Sequence, residues 1–270
     1  MATLLIATAS GAALYANPKL LIETDELAQL LGNGEMRIVD LRHDAKKGEA
    51  GYRAGHIPGA VYLSARELDD PKANAGGFPI RPDEATELFS QLGIDHETPV
   101  IAYDDASNRL AARLFFVLEY YGHTRTRVLN GGLGKWETEG RPLTSEVTNV
   151  APKRFEPRAQ RDLLATAEEV KAALGRKDVC LIDARTPKEF TGKDLRAKQG
   201  GHIPGAANVV WTSTLNPDRT YKSANALQAV FEAAGVRPDC QIITYCQSGG
   251  PGGTRLFRVA PARIRESQDL

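Results

Sequence analysis

A six-residue phrase, Gly55-His56-Ile57-Pro58-Gly59-Ala60, returns unchanged as Gly201-His202-Ile203-Pro204-Gly205-Ala206. Three other segments recur in the same order. Ile38-Val39-Asp40-Leu41-Arg42 is matched by Leu181-Ile182-Asp183-Ala184-Arg185, Leu92-Gly93-Ile94 by Ala234-Gly235-Val236, and the strand ending Tyr103-Asp104 by the strand ending Tyr245-Cys246. The offset runs from 146 at Gly55/Gly201 to 142 at Asp104/Cys246. A period of that length is a duplicated domain, not a short solenoid unit. The 270 residues are enough for two such domains, each with its own core.

Each copy alternates helical and strand patterns. Apolar residues at helical spacing over 26–31 and 168–174 precede a short aliphatic strand ending in Asp-x-Arg. A second helix, 83–92 or 224–234, leads through glycine into another aliphatic strand, 99–103 or 241–245. The first copy continues through a helix over 110–121 and a strand around Arg127-Val128-Leu129. Short aliphatic strands separated by helices predict an α/β fold, two parallel sheets each flanked by helices. Ligands of such sheets bind beyond the carboxyl ends of the strands, where Asp104 and Cys246 fall. The expected divisions are a first domain over 1–140, an extended linker over 141–162 carrying Pro142, Pro152 and Pro157, and a second domain over 163–270.

Composition narrows the function. The 34 basic and 34 acidic residues balance, which argues against nucleic acid or a membrane surface as partner. The three cysteines, Cys180, Cys240 and Cys246, show no framework spacing and no C-x-x-C pair. A reducing compartment is therefore expected, with Cys180 and Cys240 as ordinary strand residues. Met1 to Ala16 is apolar but lacks a basic leader, so a cytoplasmic location is expected, with the periplasm as the alternative. A monomer is expected.

These motifs resemble the rhodanese family, specifically its two-domain sulfurtransferases. The resemblance rests on the Asp-x-Arg strand ends, both Gly-His-Ile-Pro-Gly-Ala phrases, Asn130-Gly131-Gly132-Leu133-Gly134-Lys135-Trp136, and Tyr245-Cys246-Gln247-Ser248-Gly249-Gly250, which looks like the family's active-site loop. It implies a silent first domain, here with Asp104 at the cysteine position, and a second domain whose cysteine carries sulfur as a persulfide. A small anionic donor, thiosulfate or 3-mercaptopyruvate, and a cyanide or thiol acceptor follow from it. No cofactor and no metal are implied. The loop differs from Cys-Arg-Lys-Gly and Cys-Gly-Ser-Gly, and is similar to loops of bacterial thiosulfate sulfurtransferases.

Sulfur transfer needs a thiolate that attacks the outer sulfur of the donor. Cys246 is the candidate. The small residues after it, Gln247, Ser248, Gly249 and Gly250, allow main-chain N–H groups to converge into an anion-binding nest that lowers the thiol pKa. Arg185 is expected to pair with the donor's anionic group. Arg42, Asp40 and Asp183 are expected to be structural, as are His56 and His202, because a residue kept in the silent copy serves loop architecture. Trp211 is expected at the domain interface or cleft wall. The spacing argues strongly against a phosphatase of the Cys-x5-Arg type, since Gly252 stands where the arginine would be and the next arginine is Arg255.

The end of the chain departs from the repeat. Gly250-Pro251-Gly252-Gly253 is a poor helix start, and Pro261 interrupts the apolar stretch after it. The second domain is thus expected to be truncated or altered after residue 250, without the helix and strand that succeed Asp104 in the first copy. Weak or absent activity would result, and a non-catalytic sulfur-binding protein is the alternative. A reading-frame slip is one origin: read one base later, codons for Arg263 to Asp269 can spell Gly-Tyr-Glu-Lys-Val-Arg, which resequencing tests.

Overall fold

The computed structural model describes residues 18–32, 34–42, 48–73, 77–237, 239–246 and 255–259. The first copy runs β1 (Leu21–Ile22), α1 (Thr24–Leu30), β2 (Arg37–Asp40), α2 (Gly48–Ala54), β3 (Ala60–Tyr62), α3 (Pro82–Gln91), β4 (Val100–Tyr103), α4 (Arg109–Tyr120), β5 (Thr126–Leu129) and α5 (Gly132–Thr138). Its sheet is parallel throughout, in the order β1-β5-β4-β2-β3. Alternation along β2 and β4 builds two cores. Val39, Val100 and Ala102 face Phe89, Leu114 and Val117, while Ile38, Ile101 and Tyr103 face Leu27, Leu133 and Trp136.

The second copy runs α6 (Ala167–Ala173), β6 (Val179–Asp183), α7 (Pro187–Phe190), β7 (Ala207–Asn208), α8 (Ala224–Ala233), β8 (Gln241–Cys246) and β9 (Arg255–Val259). Thr166 with Glu169, and Thr186 with Glu189, form capping boxes that start α6 and α7. The sheet order is β7-β6-β8-β9, with β6, β7 and β8 parallel. Its cores are thinner: Leu181 and Ile243 against Val170 and Ala173 on one face, Ile182 and Val209 with Val236 on the other.

Two expectations are corrected here. The slot beside β8 is filled by β9, running antiparallel from Ile242↔Val259 to Cys246↔Arg255, where the first copy places parallel β5 beside β4. A return strand needs only a short connection, whereas a parallel one needs a crossover. Alteration after residue 250 therefore leaves β8 covered on that edge. Second, Cys180 and Cys240 form a disulfide with Cα atoms 5.7 Å apart. The β6–β8 register sets Cys180 opposite Ile242, so the chain just before β8 lies against it. A pair separated by 60 residues leaves no local spacing signal. With it falls the cysteine-based case for a reducing compartment.

The segment 141–162 is a strap on the first domain. Thr144 bridges His56, Lys153 N–H bonds the Ser90 carbonyl (3.0 Å), and Gln160 N–H bonds that of Tyr120 (2.7 Å). Phe155 is fully buried, edge-on to Phe89. Trp211, expected at the domain interface or cleft wall, is 36% exposed, and its main-chain N–H bonds the Ala184 carbonyl. No helix among the described residues is long and apolar enough to cross a membrane.

Candidate functional site

Strand β6 ends at Asp183 beside Tyr245, the penultimate residue of β8. Asp183 is fully buried and accepts from the N–H (2.9 Å), Nε (2.9 Å) and Nη2 (2.6 Å) of Arg185. Nη2 of Arg185 also donates to the Gly201 carbonyl (2.7 Å), and the guanidinium lies 5.5 Å from the Tyr245 ring centre. The Tyr245 hydroxyl accepts the Ile203 N–H (3.0 Å). Burial, reinforced by Asp183, pushes that hydroxyl up to about 12. A lattice of tyrosine, aspartate and arginine thus ties the Gly-His-Ile-Pro phrase to the strand that presents Cys246. His202 stacks on Phe190 with Nδ1 2.9 Å from its carbonyl.

The first copy repeats each bond. Arg42 grips Asp40 through Nε (3.0 Å) and Nη2 (2.8 Å) and reaches the Gly55 carbonyl (2.6 Å). Tyr103 donates to Asp40 (2.6 Å) and accepts from Ile57 N–H (3.2 Å), and His56 stacks on Tyr52. Arg185, expected on the substrate, therefore has its fork engaged as Arg42 does beside the cysteine-free site. The motifs alone did not single out the two tyrosines, although a signal was there: each directly precedes the Asp104 or Cys246 position.

The loop after the strand is described in full only in the first copy. Asp104 is buried, and its carboxylate accepts N–H bonds from Ala106 (2.8 Å), Asn108 (2.8 Å), Leu110 (2.6 Å) and Ala111 (2.9 Å). Burial raises its pKa above the usual carboxylate value against these four donors. Ser107 and Asn108 take left-handed φ of 61° and 66°, and the turn aims the Asn108 N–H at the carboxylate. Behind them, a Cβ on Gly132 would stand 2.6 Å from the Asp104 carbonyl oxygen, which accounts for that glycine in the Asn130 to Trp136 motif. In the second copy Cys246 is half-buried, its sulfur outside any disulfide. Gln247, Ser248, Gly249 and Gly250 lie outside the described residues. Among the described residues no histidine, cysteine and acid cluster could hold a metal.

The family model for the rhodanese-like domain matches twice, over residues 23–139 and 166–263. The chain belongs to the rhodanese-like family. A relative called sulfur carrier protein TtuD, from Thermus thermophilus, is 37% identical over 250 residues, covering 86% of this chain and 84% of the relative. A thiosulfate sulfurtransferase from Azotobacter vinelandii is 34% identical over 240 residues, covering 87% and 84%. The crystal structure of the 3-mercaptopyruvate sulfurtransferase SseA from Escherichia coli superposes with a TM-score of 0.77 at 27% identity, over 86% of this chain and 90% of that one. The rhodanese-like family thus accounts for both sheets.

Proposed function

We propose that the chain is a sulfurtransferase that carries sulfane sulfur on Cys246, from thiosulfate to cyanide or a thiol. The thiolate attacks the outer sulfur of thiosulfate. A new S–S bond forms while the old one breaks, and sulfite leaves with the electron pair. An incoming nucleophile then attacks the outer sulfur of the persulfide, taking it as thiocyanate or as a new persulfide and returning Cys246 to the thiolate.

One observation carries this reading: the Asp104 carboxylate in its cradle. Its charged oxygens stand two bonds beyond Cβ, as the outer sulfur of a cysteine persulfide does. That equal reach supports reading the first copy's cradle, filled by a fixed anion, as a template for the loaded site. Carried across the offset of 142, the four donors fall on Ser248, Gly250, Gly252 and Gly253, all of which own an N–H. The one proline of the stretch, Pro251, falls on Arg109, which is not among the four donors. Left-handed Ser107 and Asn108 correspond to Gly249 and Gly250, the residue type that takes that conformation without steric cost. In this reading Gln247, Ser248, Gly249 and Gly250 bind the donor, and Arg185 holds the Gly201 loop in place. The 34% identity to a thiosulfate sulfurtransferase supports thiosulfate as donor.

Incubation with thiosulfate should add the mass of one sulfur atom to the peptide holding Cys246, and cyanide should remove it with release of thiocyanate. Activity that survives Cys246→Ala would remove this cysteine from the mechanism. 3-Mercaptopyruvate run in parallel identifies the preferred donor. The identity to a sulfur carrier favours a second reading, in which loading occurs but cyanide turnover is slow without a protein acceptor.

A further inference from the structure

The cysteine-free site of the first copy keeps an intact cradle, and the second domain is seated on its rim. Asn108 is 1% exposed, and its Nδ2 donates to the carbonyl of Arg219 (3.1 Å). In return Arg219 Nη1 donates to the carbonyl of Asp105 (3.2 Å). The Tyr221 N–H donates to Oδ1 of Asn130 (2.9 Å), whose Nδ2 is in turn held by Glu23 (2.7 Å). Burial, and after it the charge of Asp104, pushes the Tyr221 hydroxyl up to about 12, so the tyrosine lies within the carboxylate's field.

The docked turn is rigid in its own right. Asn216 N–H bonds the Thr220 carbonyl (2.8 Å), and Arg219 N–H bonds that of Asn216 (2.9 Å). The Asp218 carboxylate accepts from the Thr220 N–H (3.0 Å) and hydroxyl (2.6 Å). Arg219 holds a left-handed φ of 68° that aims its carbonyl and guanidinium at the loop. Rigid elements on both sides lose little entropy on meeting.

We propose that the first copy's cradle, closed on its own Asp104, has become a docking socket whose partner is the Asn216–Tyr221 turn of the second domain. Asp104 acts through the loop: by collecting the amides of Ala106, Asn108, Leu110 and Ala111 it fixes the conformation in which Asn108 and Asp105 meet Arg219. The turn runs directly into α8, and from there the chain enters β8 and reaches Cys246. A site without a thiol thereby keeps a reason for its geometry, since it sets where the thiol-bearing domain sits.

The test changes one domain and reads the other, in the intact chain, by hydrogen exchange. Asn130→Ala alters the first domain and is read at the amides of residues 216–222. Arg219→Gly suits the left-handed position, leaves the first domain untouched, and is read at residues 105–111. Each should speed exchange across the interface about five-fold, as loss of one or two interdomain hydrogen bonds does, with the β4 amides unchanged. Exchange within about two-fold of the parent at both readouts overturns the proposal, because the contacts then add nothing to docking. Should Asn130→Ala disturb the β4 amides as well, the Arg219→Gly readout alone decides.

Discussion

Reduction of the Cys180–Cys240 bridge should destabilise the second domain far more than the first. The two residues lie 60 apart in sequence, so the bond closes a loop covering most of that domain. Loop-closure entropy gives about 3 kcal/mol for a 15-residue loop and about 4.7 for a 100-residue one, which places this bridge near 4 kcal/mol. Whole domains hold only about 5–15 kcal/mol, and the second domain's core is thin, with both cysteines among its buried residues. Urea unfolding followed by hydrogen exchange, which resolves the two domains, is the assay. At a slope of about 2 kcal/mol per molar, the second domain's midpoint should fall by about 2 M after reduction or in a Cys180→Ala/Cys240→Ala variant. The first domain's midpoint should stay in place. Cys246 lies six residues along β8 from Cys240, roughly 20 Å away, so it cannot exchange with the bridge inside the folded domain. Unfolding the unreduced chain with the alkylating agent already in excess should therefore label Cys246 alone, because the thiol is capped before it can meet the bridge. Labelling of all three cysteines, or oxidised and reduced second domains that unfold together, would refute the reasoning.

Other outcomes are equally definite. Arg185→Lys loses the paired bond to Asp183 and should cost about 1–3 kcal/mol of second-domain stability in urea while the thiosulfate KM changes little; a large KM rise at unchanged stability would return Arg185 to the substrate. Buried His123 donates from Nε2 to the Thr98 carbonyl (2.9 Å) and accepts at Nδ1 from Thr126 (2.9 Å), and burial holds its pKa below 6.5. The unfolded state then binds the extra proton first, so the contribution of His123 to first-domain stability is full above pH 6.5 and falls below it, by at most about 1.4 kcal/mol per pH unit. First-domain urea midpoints of the parent and of His123→Gln that shift equally between pH 7.5 and 5.5 would contradict this. Gly132→Ala sets a methyl against the Asp104 carbonyl at a left-handed φ of 58°, and should lower first-domain stability by about 1–3 kcal/mol in calorimetry, with sulfur loading of Cys246 intact.

The sequence carried the duplication, the α/β class and the strand-end placement of Asp104 and Cys246, because each rests on patterns local to one strand or helix and written twice. It also carried the expectation that Asp40 and Asp183 accept main-chain N–H groups at the loop starts, as they do from Arg42 and Arg185. Only the tertiary structure decided the Cys180–Cys240 bond, which depends on the register of β6 against β8. The same is true of Arg185, whose pairing with Asp183 and Gly201 becomes visible only when the Gly201 loop folds back over the strand. The seating of the Arg219 turn on the Asp104 loop joins residues more than a hundred positions apart. Hydrophobic period and motif spacing report on neighbours along the chain. Which distant groups satisfy a buried carboxylate or a strand edge is settled by packing, and no local pattern records it.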